Sequence, residues 1–141
     1  MMHRNKRPDD THYGKWNGLG GKFDAGETPE ECARREVREE SGLVARELHL
    51  KGVITFPKFA KGEDWYVFIY IVHADGDPFR ECPEGELVWI DDEKLVELNL
   101  WEGDSVFLPW LDRPELFSAR FTYEHGKLVS HDAVFYPLSE A

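Results

Sequence analysis

Three glutamates, Glu36, Glu39 and Glu40, are spaced i, i+3 and i+4 in the stretch 29–41. If this stretch is helical, the three carboxylates lie on one face, within an arc of roughly 100°. Such oxygens are ligands for a hard cation, and Mg²⁺ typically takes one or two protein carboxylates together with water and substrate phosphates. The alternative is a solvated charged face on which the neighbouring arginines offset the repulsion.

The helix that carries these carboxylates has clear predicted ends. Thr28 can cap its start, with Glu31 completing a capping box. Pro29 suits the first helical position, and Gly42 suits the C-terminal stop. The preceding segment 14–27 holds five glycines, which predicts a loop whose backbone closely approaches another group. A glycine-rich loop that leads into such a helix favours the cation site over the solvated face.

The remaining segments predict a mixed fold. Residues 1–15 are polar and turn-rich, and no repeat or linker marks a boundary, so we expect one domain over residues 1–141. The order of strands and helices indicates an α+β or α/β sandwich. The predicted strands are 50–56, 65–72 and 86–90, the predicted helical segments are 92–98 and 104–111, and a hairpin over 116–136 turns around His125–Gly126.

Composition narrows the classes of partner. A net charge of −11 disfavours binding to a nucleic-acid polymer, and a polyphosphate ligand would need a cation between itself and the carboxylates. The longest apolar run, 65–72, is too short to span a bilayer, and no secretory signal is visible at the start. Two cysteines do not make a disulfide framework. We therefore expect a cytoplasmic protein with no membrane partner.

Residues 21–43, GKFDAGETPEECARREVREESGL, match the Nudix box, G-x5-E-x7-R-E-U-x-E-E-x-G-U with U apolar, at every fixed position. The chain therefore resembles the Nudix hydrolases. The resemblance implies an αβα sandwich with a mixed central sheet, and metal-dependent hydrolysis of a nucleotide pyrophosphate bond. The matching positions are Gly21, Glu27, Arg35, Glu36, Val37, Glu39, Glu40, Gly42 and Leu43.

The resemblance also implies roles for these residues. Glu36, Glu39 and Glu40 would bind Mg²⁺, or Mn²⁺ as a substitute, together with the carbonyl of Gly20. Gly21 and Gly42 would be structural, and Glu27 and Arg35 would form an ion pair that fixes the loop against the helix. The general base often lies outside the box. Glu84 is the first choice, Glu86 is the alternative, and Glu40, with Glu39 beside it, could share the task.

Outside the box the chain is similar to the MutT-type and mammalian-type 8-oxo-dGTP diphosphatases, in KWNGLGGK at 15–22, in WEGDSVFLPWL at 101–111 and in the final hairpin. The similarity implies that Asn17 and Asp104 read a purine edge, that Trp101 stacks on its face and that His3 approaches the base. An ordinary core position is the alternative for Trp101. Gly103 departs from the pattern, because the mammalian-type enzymes have an acid there. Lys22, Lys15 and Arg4 could meet phosphates.

The start of the chain is a second departure. Members of the family usually open with an apolar strand, which MMHRNKR does not supply. We therefore expect a truncated chain, a misassigned start or a sheet that another chain completes. A sheet without this strand would have an unpaired edge, with reduced stability or self-association, so we expect a monomer or homodimer. The favoured function is hydrolysis of 8-oxo-dGTP or another oxidised purine nucleotide, in nucleotide-pool sanitation and DNA repair. The alternatives are a Nudix hydrolase for ADP-ribose, NADH or a dinucleoside polyphosphate, and a non-catalytic nucleotide-binding domain.

Overall fold

The first helix, α1, spans Pro29–Ser41, and both of its predicted ends are confirmed. In this computed structural model, which describes residues 1–137, the backbone N–H of Glu31 donates to Thr28 Oγ1 at 3.1 Å. Gly42 ends the helix with φ at 77°, a left-handed conformation that glycine adopts at little cost. The capping box differs in one detail, because the Thr28 hydroxyl donates to the Glu31 carboxylate at 3.3 Å.

The chain divides into two units, Met1–Leu48 with Val72–Trp101, and His49–Ile71 with the residues from Glu102 onwards. The long strands β3 (Val44–Ala60) and β4 (Glu63–Asp75) contribute residues to both units. One domain over residues 1–141 stays a prediction, and residues 138–141 lie outside the described part of the chain.

The first unit holds α1 and an antiparallel four-stranded sheet of order β2-β1-β6-β5. Its strands are short: β1 is Met2–His3, β2 is Trp16–Asn17, β5 is Glu81–Cys82 and β6 is Gly85–Leu87. This sheet matters for the site because its strand β2 leads into the glycine-rich loop before α1.

The start of the chain supplies a strand, contrary to our expectation. Met2 stands opposite Asn17 on one side and Leu87 on the other, so β1 is an inner strand and not an unpaired edge. The reason is the Met2 side chain, which is fully buried and lies 4.0 Å from the Cys82 thiol. An unbranched thioether fills such an irregular gap well, and its burial holds the polar start against the sheet.

The second unit holds a mixed sheet, which confirms the predicted fold class. In the order β4-β3-β7-β8, β3 runs parallel to β7 (Leu116–Glu124), and β7 runs antiparallel to β8 (Lys127–Tyr136). The hairpin turns at His125 and Gly126, which have φ of 51° and 77°, as a tight two-residue turn requires. The core of this unit consists of Ile54, Phe107, Phe117, Ala119 and Phe121.

The other predicted elements are confirmed with shifted bounds. The strands predicted at 50–56 and 65–72 lie inside β3 and β4, and the strand predicted at 86–90 ends at Leu87. The helical segments are a 3₁₀ turn at Asp92–Glu97, the helix α2 at Glu102–Phe107 and a second 3₁₀ turn at Leu108–Asp112. Pro109 explains the break after α2, because proline has no backbone N–H to donate to the carbonyl four residues earlier in an α-helix. No helix among residues 1–137 is long and apolar enough to cross a bilayer.

Gly85 controls the pairing of β1 with β6. A Cβ on Gly85 would overlap the carbonyl oxygen of His3, which is backbone and cannot turn aside. Gly85→Ala is therefore expected to lower the free energy of unfolding by about 1–3 kcal/mol, a usual result of overpacking. Gly18→Ala is the matched control, because a Cβ there meets no atom within 4 Å. Urea unfolding of both variants measures the difference, and equal midpoints would contradict the assigned pairing.

Candidate active site

Glu40 is the buried carboxylate of the predicted metal site, with 9% of its surface exposed. Its Oε1 accepts a hydrogen bond from the backbone N–H of Gly20 at 2.7 Å, so the glycine-rich loop lies against the end of α1. Burial, helped by the negative charges of Glu36 and Glu84, raises the pKa of Glu40 to about 7, although the Gly20 N–H and Arg4 oppose the rise. The Glu40 carboxylate is thus disfavoured in its charged form, mainly by burial and further by two neighbouring carboxylates.

Arg35 joins the glycine-rich loop to the carboxylate face of α1. Its Nε and Nη2 donate to the two carboxylate oxygens of Glu27 at 2.8 and 3.0 Å, which confirms the predicted ion pair. Its Nη2 also donates to the Lys22 carbonyl at 2.9 Å. Its Nη1 reaches the other side, with Glu36 Oε1 at 2.6 Å and Glu39 Oε2 at 3.0 Å. These hydrogen bonds from Arg35 lower the pKa of Glu27 and raise the pKa of the guanidinium.

Gly21 has a spatial reason to be glycine. A Cβ at this position would lie 2.7 Å from the carboxyl carbon of Glu36. This distance is shorter than a carbon–carbon contact allows, so any other residue at position 21 would push the Glu36 carboxylate away. The close backbone approach that the five glycines predict is therefore an approach to a predicted metal ligand.

The side chains present fit a hard divalent cation. The donors are all oxygens, from Glu36, Glu39 and Glu40 on one face of α1, as the predicted spacing requires. Among the described residues these ligand oxygens are not all within 4.8 Å of one another. An open set of this kind suits Mg²⁺, which keeps several waters and takes ligands from substrate phosphates. A cation would also offset the causes that raise the pKa of Glu40, which are its burial first and then the charges of Glu36 and Glu84.

The two candidates for the general base differ in their surroundings. Glu84 is half-buried, its charge acts on Glu40, and its Oε2 accepts a hydrogen bond from the Cys82 thiol at 3.3 Å. Glu86 is exposed, and its backbone stands opposite His3 and Glu81 in the sheet. The geometry therefore favours Glu84, and its role as the base stays a prediction.

Asn17 lies in β2 with its side-chain oxygen turned inwards. Its Oδ1 is buried and has no hydrogen-bond partner within residues 1–137. Leaving such a group unsatisfied costs roughly 1–3 kcal/mol, which a donor on a ligand would recover. His3 stands opposite Trp16 in the sheet, and the two rings stack with centroids 4.6 Å apart and planes 4° apart. This unit thus places two of the predicted base-contacting residues on neighbouring strands.

Trp101 is held to the loop that carries Asn17. The Trp16 N–H donates to the Asn99 carbonyl at 2.9 Å, and Asn99 Nδ2 donates to the Gly14 carbonyl at 3.0 Å. Lys15 Nζ donates to Asn99 Oδ1 and lies 5.3 Å from the centroid of the Trp101 ring. These hydrogen bonds fix the segment 99–101. The indole is half-buried, so part of the ring stays accessible.

The three basic residues predicted near phosphates are not equivalent. Arg4 Nε pairs with Asp10 Oδ2 at 2.7 Å, and Lys15 Nζ is bound to Asn99 Oδ1 and to the Leu100 carbonyl. Lys22 is exposed, and its backbone carbonyl is held by Arg35. Arg4 and Lys15 thus have structural partners, whereas the Lys22 ammonium stays the better phosphate candidate.

In the second unit, Gly103 and Asp104 lie in the first turn of the helix α2, which begins at Glu102. A Cβ on Gly103 would lie 2.6 Å from the Tyr123 hydroxyl, which also accepts a hydrogen bond from the Gly103 N–H at 2.6 Å. Burial, with the nearby charges of Asp104 and Glu102, raises the pKa of Tyr123 to about 12. The glycine that departs from the mammalian-type pattern therefore leaves room for a tyrosine. No motif in the sequence pointed to Tyr123.

Comparisons with known proteins place these features in a wider context. The NUDIX domain family matches residues 1–111. An oxidized purine nucleoside triphosphate hydrolase of Danio rerio is 38% identical over 122 residues, covering 84% of this chain and 76% of that protein. The protein of the same name from Mus musculus is 37% identical over 112 residues, covering 79% and 71%. A crystal structure of the MutT protein from Bacillus halodurans has a TM-score of 0.81 at 28% identity, covering 94% of this chain and 86% of that one.

Arg35→Lys tests the joint between loop and helix. Lysine keeps the charge but cannot donate to Glu27, Glu36 and Glu39 together, because it lacks the fork of the guanidinium. Mn²⁺ affinity, followed by electron paramagnetic resonance, is expected to fall about 10–100-fold, as is usual when a residue that orients metal ligands is lost. The urea midpoint should fall as well. Arg38→Lys, an exposed position on the same helix, is the matched control; equal Mn²⁺ affinities for the two variants would contradict the role of Arg35.

Proposed function

The chain belongs to the Nudix hydrolase family, and from this membership we propose that it hydrolyses an oxidised purine nucleoside triphosphate to the monophosphate and pyrophosphate. The preferred substrate in this proposal is 8-oxo-dGTP. The buried, unpartnered Oδ1 of Asn17 carries the proposal, because it is an acceptor built for a donor on a bound base. An 8-oxo purine has an N7–H donor that the unoxidised purine lacks. The names of the relatives from Danio rerio and Mus musculus support the same substrate class.

Trp101 supplies the second part of the proposed base site. The indole offers an apolar face to a purine, and stacking of this kind is worth roughly 1–3 kcal/mol per base. Trp101 and Asn17 belong to the same unit, and the hydrogen bonds between residues 14–17 and Asn99 connect their two segments. His3 is proposed to read further atoms of the base, and Lys22 is proposed to meet a phosphate. A base contact by Asp104, which lies in the second unit, stays a prediction from the resemblance.

We propose Mg²⁺ as the resident cation, with Mn²⁺ as a substitute, held by Glu36, Glu39, Glu40 and the carbonyl of Gly20. When bound, the metal neutralises phosphate charge and lowers the pKa of a water molecule. Arg35 holds Glu36 and Glu39 in place, while Gly20 holds Glu40. Glu84 is proposed to take the proton from the attacking water. Glu40, with Glu39 beside it on α1, is proposed to share that task.

The cellular setting follows from the same proposal. A chain with a net charge of −11 suits free nucleotides bound through a cation better than a nucleic-acid polymer. Cys32 and Cys82 are both buried and free, which suits the reducing cytoplasm. We therefore propose a single-domain cytoplasmic enzyme, as a monomer or homodimer, that removes oxidised nucleotides before they enter DNA.

A substrate panel tests the proposed function directly. Steady-state hydrolysis with Mg²⁺ is measured for 8-oxo-dGTP, dGTP, dATP, ADP-ribose and a dinucleoside polyphosphate. We expect the highest kcat/KM for 8-oxo-dGTP, with pyrophosphate as the second product. A preference for ADP-ribose or the dinucleoside polyphosphate would refute the base site while leaving the family chemistry in place.

Glu40→Gln separates the metal role of Glu40 from its structural role. Glutamine keeps the shape and can still accept from Gly20 N–H, so the metal-free urea midpoint should stay the same or rise as the repulsion from Glu36 and Glu84 is removed. Activity should fall at least about 100-fold, because stabilisation of phosphate charge by the metal is worth several kcal/mol. EDTA should silence the wild type, and Mg²⁺ or Mn²⁺ should restore it.

The matched control for this variant is Glu30→Gln, an exposed carboxylate in the first turn of α1. We expect full activity and a wild-type response to EDTA. Retained activity in Glu40→Gln, or hydrolysis that resists the chelator, would refute the metal assignment.

Asn17→Ala and Trp101→Ala test the base site. Each should raise KM for 8-oxo-dGTP about tenfold or more and reduce the preference over dGTP, because a hydrogen bond or a stacking face worth roughly 1–3 kcal/mol is removed. Trp89→Ala is the control, since Trp89 is 77% exposed. Unchanged ratios of kcat/KM between the two nucleotides would exclude Asn17 and Trp101 from base recognition.

A further inference from the structure

His12 is bound to the aromatic residue of the proposed base site. Trp101 Nε1 donates a hydrogen bond to His12 Nδ1 at 2.9 Å. The two rings also meet edge to face, with centroids 5.8 Å apart and planes at 87°. An indole N–H can only donate, so this hydrogen bond requires an imidazole whose Nδ1 is an acceptor. The rotation of the indole about its side-chain bonds is therefore set by His12.

His12 is itself held by a partly buried ion pair. Its backbone N–H donates to Asp10 Oδ1 at 3.1 Å, and Asp10 Oδ2 accepts from Arg4 Nε at 2.7 Å. The Asp10 and Arg4 side chains are 10% and 18% exposed, which gives the arrangement little freedom. A series of hydrogen bonds thus connects Arg4, just after β1, through Asp10 and His12 to the indole of Trp101.

We propose that His12 is a positioning residue that fixes the face of Trp101 presented to a purine base, and that only its neutral imidazole can do so. The inference rests on the proposed role of Trp101 in base stacking. It adds a residue that touches neither the base nor the metal ligands, and that no motif in the sequence indicated. It also gives base recognition a dependence on pH that is separate from the carboxylates.

Protonation reverses the chemistry of the contact. In the imidazolium both nitrogens are donors, so His12 Nδ1 would face the indole N–H donor to donor. The charged groups near the contact include Arg4, Asp10 and Lys15, the last lying 5.3 Å from the centroid of the indole ring. Burial and the positive charge of Arg4 hold the pKa of His12 below 6.5, although Asp10 opposes them. The neutral form therefore holds Trp101 at neutral pH, and the hydrogen bond is lost as pH falls through that lowered pKa.

The first test needs no enzymatic activity. In ¹⁵N-labelled protein, the indole N–H signal of Trp101, assigned with Trp101→Phe, should exchange slowly and shift with a single titration below pH 6.5. In His12→Ala the signal should lose protection and stop titrating. In His12→Asn the side-chain oxygen takes the position of Nδ1, so protection should return without the titration. A Trp101 signal that is equally protected in His12→Ala would overturn the proposal.

The second test separates positioning from chemistry. His12→Ala should raise KM for 8-oxo-dGTP about tenfold with kcat changed less than about twofold, and His12→Asn should restore most of the affinity. The rise of KM at acid pH should be present in the wild type and absent in His12→Asn. His125→Asn, an exposed histidine in the hairpin turn, controls for loss of a histidine.

Equal rises of KM in His12→Ala and His12→Asn, or a fall in kcat with KM unchanged, would overturn the positioning role. If the wild type hydrolyses no purine nucleoside triphosphate, the proposed function fails, and the nuclear magnetic resonance result still decides the hydrogen bond between His12 and Trp101. The two failures are therefore distinguishable.

Discussion

The guanidinium of Arg35 carries the contact on which the candidate active site depends. It is a planar group with five N–H donors, and here those donors reach a loop carboxylate, a loop carbonyl and two helix carboxylates. The loop before α1 is rich in glycine and has little side-chain surface with which to pack. Without the guanidinium of Arg35 the loop would have many conformations, and the carboxylates on the helix would repel one another. One side chain resolves both problems.

The helix and its ends could be predicted from local chemistry, because Thr28, Pro29 and Gly42 each act on the backbone within one turn. The hairpin at His125–Gly126 belongs to the same class, since two residues with positive φ suffice. The Arg35–Glu27 ion pair came from the resemblance to the Nudix box and not from residue chemistry. Asn17, Trp101 and Asp104 likewise rest on resemblance, and their contacts with a base stay predictions.

Other features depend on contacts between residues far apart in sequence, which no local pattern carries. Met2 was assigned to a polar start, yet its side chain is buried beside Cys82, 80 positions away. His12 lies in a stretch of turns and gives no signal of its own until Trp101, 89 positions away, is placed beside it. The hydrogen bonds from Arg35 to Glu36 and Glu39 could not be predicted, because the charge pattern allows several ion pairs on one helix face.

The contact between Gly103 and Tyr123 makes two distant positions interdependent. An acid at position 103 would collide with the Tyr123 hydroxyl and crowd the Phe121 ring, whereas a small residue at position 123 alone would leave a gap and remove the acceptor of the Gly103 N–H. Each single exchange toward the pattern of two consecutive acids is therefore unfavourable, and only the pair of exchanges made together restores a filled, hydrogen-bonded interior. Related chains should separate into two groups at this point, with the residues at 103 and 123 changing in concert, and an engineer who grafts the second acid onto this scaffold must redesign both.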